Sequence, residues 1–87
     1  MHEMSLMNDL MSKINTIVED QGGAKVVGVH VWLGALAHIS PDHFREHFVE
    51  GARGTLAQDA HLYIESNEDP DNPHAQDILL RSIEVDD

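Results

Sequence analysis

Eighty-seven residues suffice for one small domain and not for two, and a chain this short buries only about 60–65% of the surface its unfolded form exposes, so a deep active-site cleft is not expected. Sixteen acidic residues against five basic ones leave a formal net charge of −11, which argues against nucleic acid and anionic membrane surfaces and favours a cation or a basic partner. Cysteine is absent, so disulfides and thiolate-held zinc are excluded, and any metal must be held by histidine, carboxylate or backbone.

The chain opens Met1-His2-Glu3. A free N-terminal amine, an imidazole one residue later and the intervening amides make a compact set of nitrogen donors that can close around a small divalent ion in a near-planar arrangement. Nitrogen-rich tetragonal sites of this kind favour Ni(II) or Cu(II) over magnesium or calcium. The bulky second residue should protect Met1 from removal. The plain alternative is that these three residues are simply how the chain starts. The start lacks the basic-then-apolar pattern of a signal peptide, and no apolar run approaches the ~20 residues of a membrane span, so the expected compartment is the cytoplasm.

Met4 to Asp20 reads as a helix, with Met7, Leu10, Met11, Ile14, Ile17 and Val18 on one apolar face and Gln21-Gly22-Gly23 as its stop. The methionines at this spacing are read as core filling. Lys25 to Leu33 is β-branched and alternating; Val27, Val29, Val31 and Leu33 are expected on one face, and Val26, Gly28, His30 and Trp32 on the other. Apolar groups on both faces suit a central strand. Ser40-Pro41 starts a second helix as N-cap and first helical residue, Asp42 suits its first turn, Phe44, Phe48 and Ala52 form its inner stripe, and Gly54 is the expected stop. Ala60 to Glu65 and Ile78 to Val85 read as strands. Between them, Ser66 to Asp77 is acidic and rich in proline and asparagine, and reads as an exposed, mobile connection. The expected fold is α+β: two helices packed on a three-stranded mixed sheet in the order α-β-α-β-β. The first two strands can be parallel through the second helix, and the last two can pair as a hairpin. Residues 1–87 are expected to form one domain.

Several landmarks, taken in order, resemble the hydrogenase maturation nickel-insertion family (HypA/HybF). They are Met1-His2-Glu3-Met4-Ser5-Leu6, Leu33-Gly34-Ala35-Leu36, Pro41 with Phe44, Arg53-Gly54-Thr55-Leu56-Ala57, Leu62-Tyr63-Ile64 and Leu80-Arg81-Ser82-Ile83-Glu84-Val85. The resemblance covers residues 1 to 65 and 78 to 85. It implies two helices on a three-stranded sheet, a metallochaperone role without catalysis, and Ni(II) held at the N-terminus by Met1, His2 and Glu3. The implied partners are the large subunit of a nickel–iron hydrogenase and a maturation GTPase; some members of the family also serve urease. The departure is the family's zinc ribbon, which carries two Cys-x-x-Cys pairs before the last strand. Here residues 66–77 stand in that place without a cysteine, so no zinc ribbon is expected. The alternative is a zinc-free paralogue kept as a scaffold or interaction protein of the same pathway, its metal binding lost.

Other histidines are weaker candidate ligands. His43 and His47, four apart, share a helix face and can offer two nitrogens, with Glu46 and Glu50 beside them; a third and fourth ligand are not evident, and a solvated face opposite Phe44 and Phe48 explains them as well. His74 lies among Asp69, Asp71 and Asp77 in the acidic connection, and His38 precedes the second helix, within possible reach of the N-terminus in space. His30 and His61 read as sheet residues. No Gly-x-Ser-x-Gly turn, catalytic cysteine, His-Glu-x-x-His motif or phosphate-cradling loop is present, so no catalytic residues and no organic cofactor are expected. A short sheet with an exposed edge is compatible with a monomer or a homodimer.

Overall fold

The computed structural model describes the backbone of residues 2–86 and the side chains of residues 7–86. The elements are α1 (His2–Asp20), β1 (Lys25–Leu33), α2 (Pro41–Ala52), β2 (His61–Ser66) and β3 (Ile78–Asp86), in the expected order. α1 begins at His2, two residues before its apolar stripe suggests. Met7, Leu10, Met11, Ile14 and Val18 are buried, while Ile17, on the margin of that stripe, is 39% exposed. At its other end the Gly23 N–H donates to the Val18 carbonyl (2.9 Å) and the Gly22 N–H to that of Glu19 (3.1 Å), with φ near +79° and +88° at the two glycines. This pair of bonds satisfies carbonyls that the helix leaves free, and it needs residues that tolerate positive φ. α2 starts as its sequence dictates: the Ser40 hydroxyl accepts from the His43 N–H at 3.1 Å, Pro41 follows, and Phe44, Phe48 and Ala52 are buried.

The sheet order is β2-β1-β3, with β1 parallel to β2 and antiparallel to β3. The parallel pair and the central position of β1 agree with the expectation; the β2–β3 hairpin does not form. The reason is reach. Eleven residues separate β2 from β3. A chain of that length extends to about 35 Å, ample to cross the end of β1 and pair with its far edge about 10 Å from β2. Pairing there satisfies both edges of the most apolar strand.

The expected face of β1 is also corrected at one end. Val26 is fully buried and Val27 is 39% exposed, the reverse of simple alternation. Val26 pairs with Val85 and Gly28 with Glu84, so Val27 is an extra residue on β1, and such a bulge shifts the phase of the side chains. A second shift, where His30 faces Ser82 and Val31 faces Leu80, makes Arg81 the extra residue on β3. The core therefore gathers Val26, Val29, Val31, Leu33 and Leu62 with Ile78, flanked by Ile64, Leu80, Ile83 and Val85, against the inner faces of both helices. Gly28, His30, His61, Tyr63, Ser82 and Glu84 lie on the other side of the sheet.

The acidic connection is docked rather than free. The Asn67 N–H donates to the Leu33 carbonyl (2.9 Å), the Gly34 N–H to Asp77 (3.0 Å) and the Leu36 N–H to Ala75 (2.7 Å). Within it, the side-chain oxygens of Asn67, Asp69 and Asn72 each accept from the N–H two residues on, at 2.8, 3.0 and 2.8 Å. The polar residues that suggested mobility are building successive local turns. Ala75 and Trp32 are buried outside the main cluster, at 4% and 5% exposure. The crossing depends on Gly34: a Cβ there would lie 2.2 Å from the Ala75 carbonyl oxygen and 2.5 Å from that of His74. Gly34→Ala is therefore expected to destabilise the protein by about 1–3 kcal/mol in urea unfolding, with faster amide exchange at Leu36. An unchanged midpoint would show that the crossing does not need the close approach.

Candidate metal centre

Topology decides which ends of the helices meet. Residues 21–24 turn the chain back from α1 into β1, and residues 53–60 turn it back from α2 into β2. Because β1 and β2 are parallel, α1 and α2 run in the same direction. The N-terminal turns of both helices thus lie at the end of the sheet where β1 and β2 finish. Residues 34–40 and the 67–77 crossing occupy that same end.

Met1 lies outside the described residues, as do the side chains of His2 and Glu3. The backbone of His2 and Glu3 forms the start of α1. Amides in a first helical turn have no carbonyl four residues back to bond to, so their nitrogens are not committed to the helix.

Of the other candidates, His38 is exposed in the 34–40 segment, with φ near +61°, a left-handed conformation in which histidine is more frequent than most side chains. His43 and His47 stack ring on ring on α2, with centroids 4.7 Å apart and planes at 25°. His74 turns to Asp77, with Nδ1 2.9 Å from Oδ2, while Asp69 is engaged with the backbone N–H of Asp71. The structure thus brings His38, His43 and His74 to the end that holds the start of α1, with His47 one turn further along. Among the described residues, no three histidine, aspartate or glutamate side chains converge as a metal-holding group.

The sheet's outer side holds a constellation that the sequence did not suggest. His30 Nε2 lies 3.0 Å from Glu84 Oε1, and the His30 ring stacks on Tyr63 at 4.4 Å and 14°. Gly28 leaves the space: a Cβ on it would meet the Glu84 carboxylate. The signal for this cluster is the β1–β3 register, which a β2–β3 hairpin would have hidden. No helix among the described residues is long and apolar enough to cross a membrane.

A two-helix layer on a three-stranded mixed sheet with these connections is a fold shared with solved structures of other proteins. The solution structure of the Ni metallochaperone HypA from Helicobacter pylori superposes with a TM-score of 0.77, covering 98% of this chain and 97% of that one at 19% identity, a likeness of fold alone. Residues 1–70 match the family model described as hydrogenase/urease nickel incorporation, metallochaperone, hypA. The chain is 35% identical over 68 residues to the hydrogenase maturation factor HypA of Chlorobaculum tepidum, covering 78% of this chain and 60% of that protein. It is 39% identical over 66 residues to the factor of the same name from Rhodopseudomonas palustris strain BisB5, covering 76% and 58%. The chain belongs to the HypA family. It spans about 60% of the length of the curated relatives it matches.

The first turn of α2, which presents His43, hangs on one hydroxyl. Ser40→Ala is expected to cost about 1 kcal/mol and to speed amide exchange at His43 while the rest of α2 keeps its protection. Equal exchange at His43 in both proteins would show that the cap is not what holds this turn.

Proposed function

We propose that this chain is a nickel-binding metallochaperone, an accessory protein for the maturation of nickel–iron hydrogenase with urease as a second client class. Ni(II) is its cargo and not a resident cofactor. The ligands are the Met1 amine, the His2 imidazole and backbone nitrogen of the Met1-His2-Glu3 segment. The acceptor is the hydrogenase large subunit, reached in concert with a maturation GTPase. The protein catalyses no reaction of its own in this reading.

The observation that carries the reading is that the family match starts at residue 1 and so includes Met1-His2-Glu3. The backbone lends support, because His2 and Glu3 open α1 and their nitrogens can bind an ion without breaking helical hydrogen bonds. The donor chemistry agrees: nitrogen-rich near-planar sites suit Ni(II). Release follows protonation of the ligands or competition from a stronger acceptor, since metal binding requires deprotonated groups.

In the same reading the docked 67–77 crossing replaces the family's zinc ribbon, and the chain works without structural zinc. The absence of cysteine favours one rival, a zinc-free scaffold of the same maturation pathway that has given up nickel. Calorimetry on protein with a native, untagged N-terminus separates the two. Delivery predicts about one equivalent of tightly bound Ni(II), with affinity falling by at least about tenfold in His2→Ala, about 1.4 kcal/mol. Equal, weak uptake by both proteins would establish the scaffold reading instead.

A further inference from the structure

His43, His47 and Gly51 are spaced four apart and form one stripe along α2. The last member of that stripe faces α1: a Cβ on Gly51 would lie 3.4 Å from Met11 Cγ. Gly51 is therefore on the flank of α2 turned towards α1, and each four-residue step, about 40° beyond a full turn, carries His47 and then His43 away from that flank towards solvent. His47 is half-buried and His43 is exposed. Because the two helices run the same way, moving from Gly51 to His43 along α2 corresponds to moving from Met11 to Glu3 along α1, about 12 Å in each case. The two residues thus stand on the half of α2 nearer the end of the sheet where α1 starts, with both rings open to solvent on one side.

The ring geometry has a chemical reading. Two imidazoles bound at right angles to one ion, with metal–nitrogen distances of about 2.1 Å, have centroids about 4.5 Å apart. The stacked pair already stands at 4.7 Å. Ligation then requires the rings to re-aim about their side-chain bonds and asks nothing of the helix backbone. Nearby cations are engaged elsewhere. Arg45 Nη1 donates to the Leu62 carbonyl at 3.1 Å, and Arg53 Nη2 pairs with Glu50 Oε2 at 2.9 Å. Asp42 and Glu46 on the same helix, within a chain of net charge −11, favour the approach of a divalent ion.

We propose that His43 and His47 form a second, exchangeable site for a divalent first-row metal, with Ni(II) as the physiological candidate. It uses two imidazole nitrogens, with water in the remaining positions. The site itself needs neither Met1 nor His2. Its use as a waiting station for nickel on the way to or from the N-terminus rests on the reading above; the site does not.

The test uses the full chain with the N-terminal ligands disabled, by His2→Ala together with a Gly-Ser extension of several residues. Ni(II) with two imidazoles and water is high-spin and paramagnetic, whereas a near-planar set of four nitrogens gives diamagnetic Ni(II), so NMR tells the two sites apart. In the disabled protein, Ni(II) is expected to broaden resonances around His43 and His47 and to raise Tm. Adding His43→Ala, an exposed position, should abolish the broadening and lower the affinity at least about fivefold. His47→Gln, which keeps a polar side chain of similar length at this half-buried position, should do the same. Unchanged broadening or affinity in both variants would overturn the site, as would a disabled protein that takes up no Ni(II). In the reverse arm, His43→Ala with an intact N-terminus should keep the diamagnetic, tightly bound ion, so failure of the N-terminal reading shows up separately in that sample.

Discussion

The parallel pairing of β1 with β2 is the constraint on which the rest of this molecule depends. Parallel neighbours cannot be joined by a tight turn, so the chain between them must leave the sheet, cross it and return. α2 is that crossover, and its buried Phe44 and Phe48 hold it to the sheet. Once β1 and β2 point the same way, two helices that each reverse into their strand must also point the same way. Their N-terminal turns then share one end of the sheet, together with every connection that follows β1 or β2. An antiparallel β1–β2 pair would have sent the starts of α1 and α2 to opposite ends and separated His2 from His43. The meeting of histidine-bearing segments at one end is a consequence of strand direction before it is a matter of side-chain chemistry.

That same end must also pass the chain from β2 to β3, on the far side of β1. The crossing runs directly over the end of the central strand, and backbone meets backbone at Gly34. Such an approach leaves polar groups that need partners, and the Gly34, Leu36 and Asn67 N–H groups find carbonyl oxygens across the seam. The crossing's own side chains do the remaining work. Asn67, Asp69 and Asn72 fold it through turns in which a side-chain oxygen takes the place of a backbone acceptor. A segment without an apolar core of its own can be held in this way, by hydrogen bonds to an edge that the sheet already presents. In the reading of the crossing as a substitute for a zinc ribbon, these bonds take over from the metal as the device that shapes the segment.

Local pattern made the elements legible in the sequence. The periodic stripe of Met7, Leu10, Met11, Ile14 and Val18, the Ser40-Pro41 start and the alternation that turns Leu62 and Ile64 inward all reappear as buried or partly buried faces or caps. The features that were not legible are non-local. No periodic trace marks the extra residue Val27, because a bulge is defined by the partner strand; it becomes visible only when Val26 meets Val85 and Gly28 meets Glu84. The choice of β1 over β2 as the partner of β3 is likewise a property of two edges competing for one strand. Composition misled at residues 66–77, since asparagine and aspartate are common both in mobile chain and in tight turns. At the site, the spacing of His43 and His47 was plain, but the stacking of their rings is a matter of side-chain conformation that spacing does not carry.

The position of the opening tripeptide has an electrostatic consequence that bears on how it can hold an ion. A helix N-terminus carries a partial positive charge, which repels a bare cation. If only the amine and the imidazole bound the metal in the proposed N-terminal site, α1 would work against the ion it is proposed to carry. Backbone nitrogens bind Ni(II) after losing their protons, and the same positive end favours those amide anions. The pair of effects selects a mode in which the ion arrives together with amide deprotonation and the complex carries little net charge. It also separates the two histidine settings in this fold. The start of α1 supplies nitrogens that can become anionic, and it therefore suits a tight, planar, pH-dependent hold. The site proposed on α2 offers side-chain nitrogens alone, since the His43 N–H is taken by the Ser40 hydroxyl, and it therefore suits a looser, hydrated one. The two proposed sites thus differ in whether a backbone nitrogen is free to join the imidazole: it is at the start of α1, whereas at His43 it is already held.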